Sequence, residues 1–154
     1  VRGLVLLSPA GAPIASDHFK AWVSQFDLTT SESAMRFVTK LYTRLPWYAP
    51  IVAYECRRLF RRRAIIELVR SFEPDAAAIP EQLQHLTIPI RLIWGGREAT
   101  LRDEQLAFFK AHLPGHVEFI EPPHFTHCPY LEYPGEVTDL IEGFSVASSR
   151  LTKP

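Results

Sequence analysis

Two side chains capable of acid–base chemistry follow predicted strands late in the sequence. Glu98 comes shortly after the β-rich run 87–94, and His127 lies in a proline-rich turn after the short run 117–120. In an α/β sheet, ligands bind beyond the carboxyl ends of the strands, where loops converge. A carboxylate that accepts the Nδ1 proton of an imidazole fixes its tautomer, so that Nε2 can take a proton from a nucleophile. The pattern predicts two of the three groups of a catalytic triad.

Buried strands and helices alternate around these two loops. Besides the runs 87–94 and 117–120, residues 3–8 form a nearly continuous apolar run, as expected of an internal strand in a parallel sheet. Helical periodicity occupies residues 101–113 and resumes at Pro134. The alternation predicts an α/β fold with about three parallel strands, which would be part of a larger sheet. The chain is therefore expected to belong to a longer protein.

The stretch between the first two predicted strands has helical patterns and no convincing strand. Residues 15–85 are accordingly predicted to form a helical lid, inserted into a core made of residues 1–14 and 86–154. Near the start of its first strongly periodic helix, Thr29 and Glu32 have the spacing of a capping box.

Arginines crowd onto a second helical stretch in this insertion, from Tyr54 to Phe72. Arginine stems can cover apolar surface while their charged ends stay in water, so a solvated face is predicted. A surface that binds a membrane or an anionic substrate is the alternative. The arginines are Arg57, Arg58, Arg61, Arg62, Arg63 and Arg70.

The composition is that of an ordinary globular domain. Of 154 residues, 47% are hydrophobic and 22% charged, and 17 basic side chains balance 17 acidic ones, so binding to nucleic acid is not expected. Cys56 and Cys128 form no Cys-x-x-Cys pair, which favours reduced thiols over a disulfide framework. No apolar run approaches the roughly 18 residues that a membrane span needs.

Two segments of the sequence resemble a known family. Ile88-Pro-Ile-Arg-Leu-Ile-Trp-Gly-Gly-Arg-Glu98 and Phe125-Thr-His-Cys-Pro-Tyr-Leu-Glu-Tyr-Pro134 look like the two closing motifs of the α/β-hydrolase fold. The resemblance covers the C-terminal half of that fold, with its sixth strand at residues 3–8, a lid, and its seventh and eighth strands. It implies that His127 is the general base and that Glu98 is its acidic partner.

The chain departs from the family pattern at three positions. Aspartate is usual at the position of Glu98, glycine is frequent at that of Thr126, and small residues are common at that of Cys128, which is interpreted as a packing residue. Asp103 is a competing acid, but it falls in the first turn of a predicted helix, where a carboxylate serves the helix dipole. Asp17 is a third candidate, suggested by relatives with the acid after the sixth strand, although a cap or turn role is favoured.

A nucleophile is not found in this sequence. The hydrolase elbow is Gly-x-Ser-x-Gly, and no two glycines lie four residues apart. The segment Gly143-Phe-Ser-Val-Ala147 is a near match, but it follows the histidine and continues a helical pattern, so it is interpreted as a decoy. The attacking serine is expected upstream, and the chain alone is expected to be inactive.

Metal binding is a further alternative for the histidines. His112 and His116 are four residues apart, but Pro114 and Gly115 between them end the predicted helix. His124 and His127 form a loop pair, with Cys128 beside them and no carboxylate at ligand spacing. No metal site is therefore predicted.

The sequence is thus predicted to be the C-terminal part of a serine carboxylic-ester hydrolase of the esterase or lipase type. No cofactor is implied. The substrate is expected to be a small apolar ester, because Phe37, Tyr42 and Trp47 of the lid suggest an apolar pocket, although such side chains more often form the core of a lid than contact a substrate. The location is predicted to be cytoplasmic unless a targeting peptide lies upstream. The alternatives are an epoxide hydrolase or haloalkane dehalogenase with an upstream aspartate nucleophile, and a non-catalytic binding module of the same fold.

Overall fold

The structure is a computed structural model that describes residues 2–71 and 78–151, with only the backbone described at Asp17 and at residues 145–151. Within these residues, no helix is both long enough and apolar enough to cross a membrane.

A three-stranded parallel sheet carries the loops of interest. Its strands are β1 (Leu4–Leu7), β2 (Ile90–Ile93) and β3 (Glu118–Ile120), in the order β1-β2-β3. Leu6 of β1 lies opposite Leu92 of β2, which lies opposite Phe119 of β3. All three predicted strands are therefore present, and because they are parallel, the loops that follow them leave the same edge of the sheet.

Seven α-helices and one short 3-10 helix accompany the sheet in the described part of the chain. Five lie between β1 and β2, one connects β2 to β3, and the 3-10 turn and a long helix follow β3. In chain order they are α1 (Ser16–Ser24), α2 (Ser31–Thr39), α3 (Ala49–Phe60), α4 (Arg63–Arg70), α5 (Pro80–Gln84), α6 (Asp103–His112), the 3-10 turn Pro129–Leu131, and α7 (Pro134–Leu151).

Strand β2 is the centre of the core. Every residue of β2 is buried, and its side chains alternate between two faces, as the pleat of a strand requires. Leu92 packs in a cluster with Phe109 of α6, whereas Ile93 packs in another with Val137 of α7. The sequence predicted β1 to be an internal strand, but its side chains are only half-buried. Among the described residues, β1 pairs with β2 alone, so its other edge has no neighbouring strand.

Residues 15–85, between β1 and β2, are called the helical insertion, and its helices α2 and α3 share a core cluster. Val38 of α2 and Ala53 of α3 are buried together, and the rings of Phe26, Phe37 and Phe60 pack beside them with centroids 5.7 to 6.0 Å apart. Phe37, one of the side chains that suggested an apolar substrate pocket, therefore packs in this core.

Two details of the insertion differ from the sequence predictions. The stretch from Tyr54 is not one helix: α3 ends at Phe60 and α4 begins at Arg63, because Arg62 between them is extended. The predicted end of this stretch, Phe72, lies outside the described residues. The capping box at the start of α2 is formed by Thr30 and Ser33, one residue later than predicted.

The arginines of α3 and α4 lie at the surface, and several bond within the insertion. Arg58 pairs with Glu55 at 3.0 Å, Arg63 pairs with Glu67 at 2.7 Å, and Arg57 donates to the carbonyl of Thr29. These contacts fit a solvated face.

Candidate active site

The loop after β2, residues 94–101, anchors the carboxylate of Glu98. One carboxylate oxygen, Oε1, accepts hydrogen bonds from the backbone N–H groups of Thr100 at 2.7 Å and Leu101 at 3.0 Å. The side chain is only 2% exposed. Glu98 therefore closes its own turn with one oxygen and leaves the other free to contact a different loop.

The second oxygen of Glu98 contacts His127. Oε2 lies 2.8 Å from Nδ1 of the imidazole, a hydrogen-bonding distance at which a neutral His127 donates its Nδ1 proton to the carboxylate. The side chain of His127 is 25% exposed, so it is more accessible than its partner. The described residues provide no hydrogen-bond partner for Nε2, which is the atom that would exchange a proton with a substrate or nucleophile.

Backbone hydrogen bonds hold the loop after β2 against the histidine loop, residues 121–133. They continue the pairing of β2 with β3: the N–H of Trp94 donates to Ile120, that of Gly96 donates to Pro122, and that of Arg97 donates to Phe125. The three donor–acceptor distances lie between 2.8 and 2.9 Å. The separation of Glu98 from His127 is thus fixed by main-chain contacts as well as by their own hydrogen bond.

The environment of Glu98 favours its ionised form. Burial alone would raise its pKa, but the hydrogen bond and charge of His127, together with the N–H groups of Leu101 and Thr100, outweigh burial. The pKa of Glu98 therefore lies below its usual value. An ionised carboxylate is the form that can stabilise a protonated imidazole.

Replacing Glu98 with glutamine should cost more stability at neutral pH than in acid. The folded pKa of Glu98 lies below its usual value of 4.5, so its ionised carboxylate contributes fully above that value and loses its contribution as the pH falls through the folded pKa. The difference in unfolding free energy between wild type and Glu98→Gln, measured in urea, should shrink between about pH 6 and about pH 3. Glu55→Gln removes an exposed carboxylate as a control, and a pH-independent difference at Glu98 would contradict the expectation.

The other candidate residues lie elsewhere or serve other contacts. Asp103 begins α6, as predicted, and the carboxylate that contacts His127 is that of Glu98. Asp17 lies in the first turn of α1, and its side chain is outside the described part of the structure. The near match to a nucleophile elbow, Gly143–Ala147, lies within α7 and forms no strand-to-helix turn.

The two residues that flank His127 face the helical insertion. The buried hydroxyl of Thr126 donates to the carbonyl of Leu41 at 2.8 Å, and Cys128 packs against the core cluster of the insertion. Burial raises the pKa of the Cys128 thiol, and the hydroxyl of Tyr130 donates to its sulfur at 3.3 Å. This contact, burial and the negative charge that Cys128 carries only in alkaline solution raise the pKa of Tyr130 to about 12. Cys128 is therefore a neutral packing group at physiological pH.

Two of the histidines considered for a metal site make separate contacts. The ring of His116 lies 2.9 Å from the carbonyl of Ile88, and His124 pairs with Glu136 at 2.8 Å. Within residues 2–71 and 78–151, no three histidine, cysteine or acidic side chains form a group suited to a metal ion.

Three residues near the site were not singled out in the sequence. Ser8 directly follows β1 and has a positive φ of 38°, and its buried hydroxyl accepts a hydrogen bond from the N–H of Gly95 at 3.4 Å. Thr43 of the insertion bonds to Glu132 of the histidine loop. These contacts join positions more than 80 residues apart, so no local sequence signal could have indicated them.

The fold of this chain is similar to that of several solved structures. A serine hydrolase from the polyaromatic hydrocarbon-degrading bacterium Cycloclasticus zankles has a TM-score of 0.74 at 17% identity, covering 93% of this chain and 54% of that chain. Naproxen esterase from Bacillus subtilis has a TM-score of 0.67 at 18% identity, covering 93% of this chain and 50% of the esterase. A meta-cleavage product hydrolase from Pseudomonas fluorescens IP01 has a TM-score of 0.73 at 14% identity, covering 94% and 55%.

The chain therefore has the C-terminal part of the α/β-hydrolase fold, which confirms the fold predicted from the two sequence motifs. It spans about half the length of the solved chains that it matches. No protein-family model and no curated protein matches the sequence.

Proposed function

We propose that this chain supplies the general base and its acidic partner to a serine carboxylic-ester hydrolase. The observation that carries the proposal is the 2.8 Å contact between Nδ1 of His127 and Oε2 of Glu98. The Glu98 side chain is buried and held by two backbone N–H groups, so the imidazole has one favoured orientation and its Nε2 stays available. The serine would belong to a part of the protein that precedes residue 1.

In the proposed reaction, Nε2 of His127 takes the proton of the serine hydroxyl as its oxygen attacks the ester carbonyl. The protonated imidazole, stabilised by the Glu98 carboxylate, then gives that proton to the departing alcohol oxygen. Water repeats the sequence on the acyl-enzyme, and His127 again accepts and returns a proton. No cofactor takes part in these steps.

An apolar surface on the helical insertion supports an apolar substrate. Trp47 is 87% exposed, and Ile51 and Tyr54 follow it along α3 at 60% and 64%. Large exposed apolar side chains three or four positions apart along one segment are typical of binding surfaces. We propose that the insertion acts as a lid and that this surface faces the acyl or alcohol part of the ester. Trp47 was among the side chains that suggested an apolar pocket.

Covalent labelling of the intact protein with a serine-reactive fluorophosphonate tests the proposal. The reagent should attach to a serine upstream of residue 1, and His127→Gln should slow labelling by at least about 100-fold because the serine loses its base. A stable enzyme that hydrolyses substrate without labelling would instead indicate an aspartate nucleophile, as in epoxide hydrolases and haloalkane dehalogenases. A protein that neither labels nor hydrolyses any ester, epoxide or haloalkane would be a binding module.

A further inference from the structure

The connection between α2 and α3 contacts the histidine loop on both sides of His127. On one side, the Thr126 hydroxyl donates to the carbonyl of Leu41 at 2.8 Å. On the other, the Glu132 carboxylate accepts from the N–H of Thr43 at 2.7 Å and from its hydroxyl at 2.6 Å. The N–H of Arg44 is a longer third donor, at 3.4 Å. Residues 41–44, here called the connecting segment, are thus bonded to the loop before and after the histidine.

The Glu132 carboxylate is satisfied by neutral donors of the connecting segment. Within the described residues it forms no ion pair, and both of its oxygens accept from Thr43. Hydrogen bonds to an ionised carboxylate are about twice as strong as neutral ones, and this carboxylate is partly shielded from water. The contact between Glu132 and Thr43 is therefore a charge-assisted link between the insertion and the loop.

Two separate parts of the chain hold the histidine loop. The loop after β2 holds it through the backbone of Pro122 and Phe125 and through Glu98. The helical insertion holds it through Thr126 and Glu132. Because the described residues do not restrain Nε2 of His127, the direction of that atom depends on how these two supports set the backbone of the loop. If the contacts with the insertion were lost, the His127 ring would keep its hydrogen bond to Glu98 but could rotate about it.

We propose that Glu132 is a positioning residue for His127: by binding Thr43 and Arg44, it docks the helical insertion on the histidine loop and sets the direction of Nε2. The proposal rests on the proposed function, since the direction of Nε2 affects catalysis only if Nε2 accepts a proton from a nucleophile. It assigns the insertion a second role besides covering a substrate. The position of the insertion becomes coupled to the alignment of the catalytic base.

Glu132→Gln in the intact protein tests the coupling, with Glu136→Gln as the matched control. Glutamine keeps the size of the side chain but presents an N–H₂ group where one carboxylate oxygen accepted two hydrogens. Hydrogen exchange at the amides of Thr43 and Arg44 should accelerate by roughly tenfold, and the NMR signals of the His127 ring should shift. Because the misaligned base acts in the transition state, kcat should fall by about tenfold with KM changed less than about twofold.

A second variant guards against simple loss of folding. Thr43→Val removes the hydroxyl donor but keeps the backbone N–H, so its effects on exchange and kcat should be in the same direction and smaller than those of Glu132→Gln. In the described part of the chain, the hydrogen-bond partner of Glu136 is His124 and not a residue of the insertion, so Glu136→Gln should leave exchange at Thr43, the His127 signals and kcat as in wild type.

Three outcomes would overturn the proposal. Exchange at Thr43 and Arg44 that is unchanged in Glu132→Gln would show that the link does not hold the segment. Faster exchange with unchanged His127 signals and kcat would show that the link is structural and does not orient the base. Equal effects of Glu136→Gln would show that loss of any nearby carboxylate lowers kcat, so Glu132 would have no specific role. Hydrogen exchange and the His127 ring signals are measured without turnover. If the wild-type protein neither labels nor hydrolyses a substrate, the proposed function is refuted. The two measurements would still show whether Glu132 holds the connecting segment and orients the His127 ring.

Discussion

The intact protein with His127→Gln should hydrolyse esters about 10⁴-fold to 10⁶-fold more slowly than wild type, with the loss in kcat. Glutamine has a similar size and can still hydrogen bond to Glu98, but it cannot accept a proton from a nucleophile or return one to a leaving group. The hydrogen bonds that hold the histidine loop on the insertion are made by Thr126 and Glu132 and not by the imidazole. The variant should therefore fold and bind substrate, and steady-state kinetics with an activated ester measure the effect.

His124→Gln is the matched control for this substitution. His124 lies in the same loop, also pairs with a glutamate, and has a half-exposed side chain, but its partner Glu136 belongs to α7 and not to the loop after β2. Its kcat should stay within about threefold of wild type, a range typical of a side chain that does not touch the reacting atoms. Retention of more than about a tenth of wild-type kcat in His127→Gln would rule out general-base catalysis by that residue.

The sheet and the meeting of Glu98 with His127 could be predicted because both depend on short-range patterns. The run of residues 87–94 is rich in strand-forming residues and is stopped by Gly95, which indicates a buried strand, and the structure buries all four residues of β2. Once two such strands are parallel, residues that follow them must leave at one edge. Glu98 and His127 satisfied that condition in the sequence, and the structure adds the distance between them.

The errors arose where distant residues decide local structure. The capping box was placed at Thr29, but the carbonyl of Thr29 accepts a hydrogen bond from Arg57, 28 residues later, and the helix begins one residue further on. The break between α3 and α4 falls among arginines, all good helix formers, so propensity gave no signal. Phe60, the last residue of α3, packs on Phe26 and Phe37, and this tertiary contact fixes one end of the helix.

Gly95 shows how an apparently local signal can have a distant cause. In the sequence, Gly95 and Gly96 look like residues that simply end a strand. In the structure, the φ of Gly95 is not positive, but backbone atoms of the histidine loop lie where a Cβ of residue 95 would be. The glycine is required because a side chain at this position would occupy the space of the neighbouring loop.

Gly95→Ala should therefore destabilise the protein by about 3 kcal/mol or more. The added Cβ would lie 2.6 Å from the carbonyl oxygens of both Phe125 and Thr126. These are backbone atoms that cannot rotate away, so the two loops must separate. Separation would break the hydrogen bond from Arg97 to Phe125 and stretch the contact between Glu98 and His127. Urea unfolding measures the loss of stability, and the loss of the Glu98 contact should also lower kcat.

Gly115→Ala is the control, because a Cβ there would meet no atom within 4 Å and its φ is not positive. Its free energy of unfolding should differ from that of wild type by no more than about 0.5 kcal/mol. If Gly95→Ala were as mild as Gly115→Ala, the loops would have room to separate at little cost. The 2.8 Å contact between Glu98 and His127 would then depend on their own hydrogen bond and not on the main-chain packing of the two loops.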